Sequence, residues 1–173
     1  MNVASEAKRL AIKYGADPAK AYTAGILHDV MKAAGKEAQF AAIKAAGIDL
    51  TPVERLEPKL WHAIAGVAFI KDVLGVGDEE IVSAVRFHTT ARGGMTVLDK
   101  CLYIADFISA DRTYDGVEEM RALAEISLEK VMLTGIQYCV EEIITTGRLM
   151  HTDMIDAYNE ILLNKKINLK GGI

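Results

Sequence analysis

The sequence has few of the residues that mark several classes of protein. Only two of its 173 residues are cysteine, Cys101 and Cys139, and they form no CxxC pair or other metal-ligand spacing. This argues against a disulfide framework and favours a reducing compartment, so we expect a cytoplasmic protein. No apolar run approaches the roughly 20 residues that span a bilayer, and the first residues do not resemble a signal peptide. We therefore expect no membrane association.

A surplus of positive charge is also missing. The chain has 20 Lys and Arg against 24 Asp and Glu, which gives a formal net charge of −4. Proteins that coat nucleic acid carry a basic surplus, so nucleic acid is not an expected partner, although a local cationic cluster can still bind a small anion. Hydrophobic residues make up 51% of the chain, and its length fits one domain over residues 1–173.

Strand patterns are absent from the sequence as well. No segment alternates apolar and polar residues, and no Asn-Gly or Asp-Gly turn joins two apolar runs. The apolar residues recur instead with the period of a helix, between prolines suited to helix starts and glycines suited to helix ends. The sequence therefore predicts an all-α, single-domain fold. Helices are expected at about 2–14, 18–33, 37–46, 59–74, 78–88, 97–109, 117–145 with a break near Ser127, and 152–165.

What the chain does have is a set of polar residues on helix faces that should point inward. These are His28, Asp29, His62, His88 and Asp106. A single buried histidine usually bonds to a backbone carbonyl, and a single buried aspartate usually caps a helix or pairs with Arg or Lys. Five such groups would compete for the same few partners, whereas one or two metal ions would satisfy them all. Imidazole and carboxylate without thiolate suit iron, manganese or zinc. The sequence thus predicts a metal site.

Two glycines lie inside the predicted helices that carry these residues. Gly25 precedes Asp29 by one turn, and Gly66 follows His62 by one turn. Because a glycine within a helix costs about 1 kcal/mol relative to alanine, we expect another group to approach closely at each position.

Five segments carrying these residues resemble a known family. In chain order they read GILHDVMK, KLWHAIAG, VRFHTTARGGM, YIADFISADRTYDGVEEMR and GRLMHTDMIDAYN. The adjacent His-Asp pair and the later ligands resemble the HD-domain phosphohydrolases, and the segments together resemble the bacterial YqeK-type branch over essentially the whole chain. The resemblance implies an all-α HD-domain fold and symmetrical hydrolysis of diadenosine tetraphosphate to two ADP. It also implies a centre of two metal ions, with iron expected and manganese or zinc as alternatives.

The resemblance implies roles for the individual metal ligands. His62 and His88 would serve one ion and Asp29 would bridge the two. His28 and Asp106 would serve the other ion together with a further histidine, which this chain lacks. Asp29 and Lys32, which follows it by one turn, are the expected catalytic residues. A dinuclear centre suits hydrolysis of a phosphoanhydride because it activates water and stabilises charge on the attacked phosphate.

The phosphates of such a substrate need cations and hydrogen-bond donors beyond the metals. The expected contacts are Lys32, Thr89, Thr90, Arg92 and Arg112. Two of these residues have alternative roles. Lys32 could be a solvated lysine at a helix end, and Arg112 could form a surface ion pair with Asp111 or Asp115. Trp61 could stack on adenine or belong to the core. We leave His151 and Asp99 out of the site, because each fits the start of a helix.

The chain departs from the family pattern at two positions. The family's first metal ligand is a histidine on the opening helix, and no histidine precedes Val3; we expect a shortened chain rather than a lost ligand. Ala91 stands where the family often has glycine.

Two other functions also stay open. One is an HD phosphohydrolase acting on a mononucleotide or a guanosine alarmone, and the other is a nucleotide-binding HD module without catalysis. In each case the expected partner is a small nucleotide. Apolar positions on the 127–145 segment are an option for a homodimer.

Overall fold

The protein is built from helices. The structure, a computed structural model, describes the backbone of residues 1–170 and the side chains of residues 1–164. Within that range there are ten α-helices, two short 3₁₀ helices at Lys32–Ala34 and Pro58–Leu60, and no strand. The α-helices are α1 (Asn2–Tyr14), α2 (Pro18–Leu27), α3 (Lys36–Ala45), α4 (Pro52–Leu56), α5 (Trp61–Asp72), α6 (Glu79–Phe87), α7 (Val97–Ile108), α8 (Val117–Ile126), α9 (Leu128–Thr145) and α10 (Thr152–Lys170). The prediction of an all-α fold is confirmed.

Side-chain caps fix where several helices begin. Asp17 accepts hydrogen bonds from the backbone at the start of α2, and α4 opens with a reciprocal capping box between Thr51 and Glu54. A second capping box joins Thr96 and Asp99 at the start of α7. The assignment of Asp99 to a helix's first turn is therefore confirmed. The predicted break near Ser127 is also confirmed, because Ser127 caps α9 after α8 has ended.

The predicted helix 18–33 is the main correction to the helix boundaries. α2 ends at Leu27, and the next residues form tighter turns, in which the amide of Lys32 donates to the carbonyl of Asp29 at 2.9 Å. In a continuous α-helix, neighbouring side chains diverge by about 100°, so His28 and Asp29 could not face one point. The tighter turns bring them together, with His28 Nε2 3.3 Å from Asp29 Oδ2.

Other boundaries needed smaller corrections. The short helix α4 is not among the predicted helices, although it begins at Pro52, one of the prolines suited to a helix start. α10 continues beyond the predicted residue 165 to Lys170.

Helix α7 lies at the centre of the fold. Its residues Cys101 to Ala105 are fully buried, and it packs against α1, α2, α6, α8 and α9. A smaller apolar cluster joins α3 to α5 through Ile43, Ile64 and Ala65. These contacts bring the end of α2, the first turn of α5, the end of α6 and the last turns of α7 into one region.

Helices α1 and α2 approach each other closely at Gly25. A Cβ atom added there would lie 2.4 Å from the Cα of Ala4, far inside contact distance. At Gly66 the nearest atom to an added Cβ is a Val85 methyl at 3.6 Å, which is an ordinary contact. The expectation of close approach is therefore right for Gly25 and wrong for Gly66.

Among residues 1–170, no helix is both long enough and apolar enough to cross a bilayer.

Helix α9 exposes apolar surface that a homodimer could use. Tyr138 is 48% exposed and Ile144 is 68% exposed. A homodimer through this helix stays a prediction.

Candidate metal centre

Four helices bring five predicted ligands into one group, which we call the His-Asp cluster: His28, Asp29, His62, His88 and Asp106. His62 Nε2 and His88 Nε2 lie 3.3 Å apart. Asp29 Oδ1 lies 3.4 Å from the first of these nitrogens and 3.5 Å from the second. Nitrogen and oxygen ligands held at about 2.1 Å around a tetrahedral ion are separated by about 3.4 Å. The spacing of these three side chains therefore fits a single divalent metal ion.

The protonation of the three histidines is set by their backbone contacts. Each Nδ1 lies against the carbonyl three residues earlier: His28 against Gly25 at 2.8 Å, His62 against Lys59 at 2.8 Å, and His88 against Val85 at 2.7 Å. A carbonyl oxygen only accepts, so Nδ1 carries the proton and a neutral ring keeps an Nε2 lone pair. With all three rings neutral, three Nε2 lone pairs point at one carboxylate, and no proton lies between His62 and His88. A bound cation would accept the Nε2 lone pairs and balance the negative charge of the carboxylate.

Asp29 shows the same need for a cation. Its Oδ1 is buried and has no hydrogen-bond partner among the described residues, and an orphaned buried acceptor costs about 1–3 kcal/mol. Burial raises the pKa of Asp29, but the adjoining His28 and His88 rings and the Lys32 ammonium outweigh burial and hold that pKa well below its usual range. The carboxylate is therefore charged, and its free oxygen fits a metal ion.

The histidines differ in their electrostatic surroundings. Burial lowers the pKa of His62 to about 4, and repulsion from His88 acts in the same direction. For His28 burial also lowers the pKa, but the adjacent Asp29 carboxylate outweighs burial and raises the pKa overall, toward the protonated ring. The His62 ring is therefore neutral near pH 7, which is the form that binds a metal.

The second half of the His-Asp cluster contains His28 and Asp106. His28 Nε2 is 3.3 Å from Asp29 Oδ2 and 3.7 Å from Asp106 Oδ1. Arg112 donates to the side chain of Asp106 and, through Nε at 2.7 Å, to its backbone carbonyl. The two oxygens of Asp29 thus face different partners, Oδ1 the His62–His88 pair and Oδ2 His28. The bridging role of Asp29 stays a prediction.

The predicted phosphate contacts lie in different surroundings. Lys32 donates to Asp29 Oδ2 at 2.7 Å and remains half-exposed. Arg92 donates instead to Ser83 Oγ at 3.1 Å and Asp99 Oδ2 at 3.4 Å, away from the His-Asp cluster. Arg112 pairs with Asp106 rather than with Asp111 or Asp115. Lys32 and Arg112 therefore touch proposed metal ligands, and Arg92 does not.

A cavity of about 190 Å³ lies between the residues just before α5, the loop after α6 and helix α9, and we call it the α9 cavity. Thr89 and Thr90, both predicted as phosphate contacts, lie in its wall. Sequence reasoning missed its other residues, which include Lys59, Leu60, Cys139, Ile143, Arg148 and His151. They come from separate segments around α5, α6, α9 and α10, and no local pattern connects them.

His151 is buried directly before α10. Its Nδ1 accepts from the backbone N–H of Asp153 at 3.2 Å, and its Nε2 lies 3.6 Å from Glu54 Oε1. This agrees with its assignment as a polar residue at a helix start. Glu54 is itself 2% exposed and paired with Arg86, a buried ion pair that the sequence did not reveal.

Ala91 sits in a strained backbone conformation in the loop after His88. Its φ is +54°, in the left-handed region that favours glycine, and its side chain is fully buried. Ala91→Gly should relieve about 1 kcal/mol of strain, partly offset by the entropy of a freer unfolded chain. We expect the free energy of unfolding, measured in urea, to stay constant or to rise by up to about 1 kcal/mol.

Ala84→Gly is the matched control for this substitution. Ala84 is buried within α6, where glycine should destabilise by about 1 kcal/mol. An equal loss of stability in both variants would show that Ala91 carries no strain.

An adjacent His and Asp at the end of one helix, completed by ligands from three others, is the arrangement for which the HD domains are named. It places this protein in the class of metal-dependent HD hydrolases.

Comparison with known proteins makes the assignment specific. The HD domain family matches residues 1–111. A symmetrical bis(5'-nucleosyl)-tetraphosphatase of Bacillus subtilis is 37% identical over 161 residues, covering 92% of this chain and 83% of the relative. A symmetrical bis(5'-nucleosyl)-tetraphosphatase of Halalkalibacterium halodurans is 31% identical, and the match covers 91% of this chain and 83% of the relative. The chain belongs to the HD-domain family and, within it, to the symmetrical bis(5'-nucleosyl)-tetraphosphatases.

A solved structure agrees with the fold. It is a protein from Clostridium acetobutylicum described as a "predicted HD superfamily hydrolase involved in NAD metabolism". It superposes with a TM-score of 0.91 at 34% identity and covers 94% of this chain and 86% of its own.

Proposed function

We propose that this protein hydrolyses diadenosine tetraphosphate symmetrically to two ADP in the cytoplasm. The observation that carries the proposal is the convergence of three histidine Nε2 atoms on the Asp29 carboxylate. The names of the curated relatives, which describe symmetrical bis(5'-nucleosyl)-tetraphosphatases, support the choice of substrate.

The residues of the His-Asp cluster fit two metal ions. Asp29 Oδ1, His62 and His88 would hold one ion, while Asp29 Oδ2, His28 and Asp106 would hold the other. Iron is the expected metal, with manganese or zinc as alternatives, since all three accept imidazole and carboxylate. When bound, such a pair lowers the pKa of a water and stabilises charge on the attacked phosphate.

The reaction requires attack on an inner phosphate. The water oxygen forms a bond to that phosphorus and loses a proton, and the bond from phosphorus to the central bridging oxygen breaks. The departing oxygen keeps the electron pair and leaves on the second ADP. Placement of the substrate therefore decides the products.

Lys32 and Arg112 supply positive charge beside this reaction. Lys32 Nζ is held 2.7 Å from Asp29 Oδ2, and Arg112 is held on Asp106. Both cations contact the carboxylates that would hold metal, and this supports the proposal that they donate hydrogen bonds to phosphate oxygens. Thr89, Thr90 and Arg92 remain predicted substrate contacts.

A product assay tests this proposal. Incubation with diadenosine tetraphosphate and Fe²⁺ or Mn²⁺ should give ADP alone by chromatography, and EDTA should abolish its formation. AMP together with ATP would contradict symmetrical cleavage. Turnover of a mononucleotide or a guanosine alarmone instead would favour the related hydrolase, and nucleotide binding without turnover would favour a binding module.

A further inference from the structure

We propose that Glu54 is a positioning residue, which holds His62 and His88 at the spacing that a metal ion requires. This inference rests on the proposed function and adds to it a residue outside the His-Asp cluster. His62 lies in the first turn of α5 and His88 directly follows α6, and their Nε2 atoms are 3.3 Å apart. Two lone pairs at this distance repel each other, so the spacing depends on contacts elsewhere on the two helices.

Glu54 contacts both of these helices at residues next to the ligands. Its side chain is paired with Arg86, which precedes His88 by two residues. Its backbone carbonyl accepts the indole N–H of Trp61 at 2.7 Å, and Trp61 directly precedes His62. One residue of the short helix α4 therefore connects the chain beside the first ligand to the chain beside the second.

The Glu54 carboxylate is itself held in place by its surroundings. Its Oε2 accepts from the backbone N–H of Thr51 at 2.8 Å, within the capping box that opens α4. Its Oε1 lies 3.6 Å from Nε2 of His151, which is buried directly before α10. The carboxylate is fixed between α4, α6 and α10, so Arg86 meets a rigid partner.

Stability alone does not account for this ion pair. Glu54 is 2% exposed and the side chain of Arg86 is 21% exposed. The desolvation of a buried ion pair can cost more than the attraction returns, and apolar residues of similar size in its place are often as stable or more stable. The best attested role of such a pair is to fix the register of the elements that it joins. Here those elements are α4 and α6, and α4 also holds the first residue of α5.

Substitutions in this pair test the inference through metal affinity. Trp61 is the only tryptophan of the sequence and adjoins His62, so quenching of its fluorescence reports Mn²⁺ binding there. Glu54→Gln removes the charge opposite Arg86 but still accepts from the Thr51 N–H, because glutamine also completes a capping box. Glu54→Gln and Arg86→Met should each raise the Mn²⁺ dissociation constant about tenfold, the lower end of the effect of losing an orienting partner.

Two further variants separate positioning from stability. Arg86→Lys keeps a positive charge opposite Glu54, so it should bind Mn²⁺ more tightly than Arg86→Met. The double variant Glu54→Gln/Arg86→Met leaves no buried charge without its partner, so its midpoint of urea unfolding should match that of the wild type. Its Mn²⁺ affinity should nevertheless stay as low as that of the single variants. A role in stability alone would move the two measurements together.

Glu80→Gln is the matched control. Glu80 also lies on α6 and pairs with Lys20 at 2.5 Å, but this pair is on the surface, where Glu80 is 51% exposed. Surface ion pairs contribute little, so this variant should bind Mn²⁺ like the wild type. Wild-type affinity in both Glu54→Gln and Arg86→Met would overturn the inference. An equal loss in Glu80→Gln, or a double variant whose affinity and unfolding midpoint fall together, would overturn it as well.

Turnover separates this inference from the proposed function. If the wild type binds Mn²⁺ without cleaving diadenosine tetraphosphate, and Glu54→Gln binds Mn²⁺ more weakly, the proposed reaction is wrong and the positioning role stands. If cleavage to ADP proceeds and Glu54→Gln binds Mn²⁺ like the wild type, the reaction stands and the positioning role is wrong.

Discussion

Replacing Gly25 by alanine is expected to destabilise the protein by about 2 kcal/mol or more. The added Cβ would lie 2.4 Å from the Cα of Ala4 and 2.9 Å from its nitrogen, and backbone atoms cannot rotate away as a flexible side chain can. Helix α1 must therefore move, and such overpacking typically costs 1–3 kcal/mol or more. Urea unfolding of the metal-free protein measures the change, which corresponds to a melting temperature lower by roughly 4–8 °C.

Gly66→Ala is the control for Gly25→Ala. Gly25 lies one turn before Asp29 and Gly66 one turn after His62, but an added Cβ at Gly66 meets Val85 only at 3.6 Å. The helix preference of alanine should then stabilise the protein by up to about 1 kcal/mol. If Gly25→Ala were as stable as Gly66→Ala, the packing of α1 on α2 described above would be wrong.

Gly25→Ala should also weaken metal binding. The carbonyl of Gly25 accepts the Nδ1 hydrogen of His28, so a shift of this backbone turns the imidazole. Loss of such an orienting hydrogen bond typically lowers metal affinity about 10–100-fold. Titration of the folded variant with Mn²⁺ measures it.

The second large effect is expected from Asp29→Ala. This change removes both carboxylate oxygens that face His28, His62 and His88. Removing even an outer-shell partner of a metal ligand lowers metal affinity or activity about 10–100-fold. If Asp29 holds metal in both halves of the cluster, as proposed, its loss should lower turnover by about 10³-fold or more. Metal content and ADP formation should fall together, as measured by elemental analysis and chromatography.

Asp72→Ala controls for the removal of a carboxylate. Asp72 is exposed at the end of α5, the helix that carries His62, so this variant should keep its metal and its activity. Full activity in Asp29→Ala would exclude Asp29 as a metal ligand.

Local sequence signals were enough to predict most of the helices. Caps, prolines and glycines act on the residues next to them, and Asp17, Ser127 and Gly15 end or begin helices where expected. The end of α2 at Leu27 could not be predicted in the same way. The apolar pattern runs on through Met31 without a proline or glycine, and the turn there is set by contacts with α5, α6 and α7.

The sequence was enough to predict which residues form the His-Asp cluster, and it was not enough to predict what surrounds them. Burying a single histidine or aspartate without a partner costs free energy. The presence of His62, His88 and the other cluster residues on apolar helix faces therefore indicated a shared partner. The partners of Arg92 and the wall of the α9 cavity depend on how distant segments pack. No spacing along the chain shows that Arg92 meets Ser83, or that Cys139 lies in the same wall as Thr89.

Anomalous diffraction from crystals of the metal-loaded protein tests the central claim most directly. The account predicts a metal ion bonded to Nε2 of His62 and His88 and to Asp29 Oδ1, and a second ion on the side of His28, Asp29 Oδ2 and Asp106. Metal–ligand distances of about 2.0–2.3 Å would establish the site. A strong metal signal elsewhere, with the Nε2 atoms of His62 and His88 uncoordinated, would contradict it.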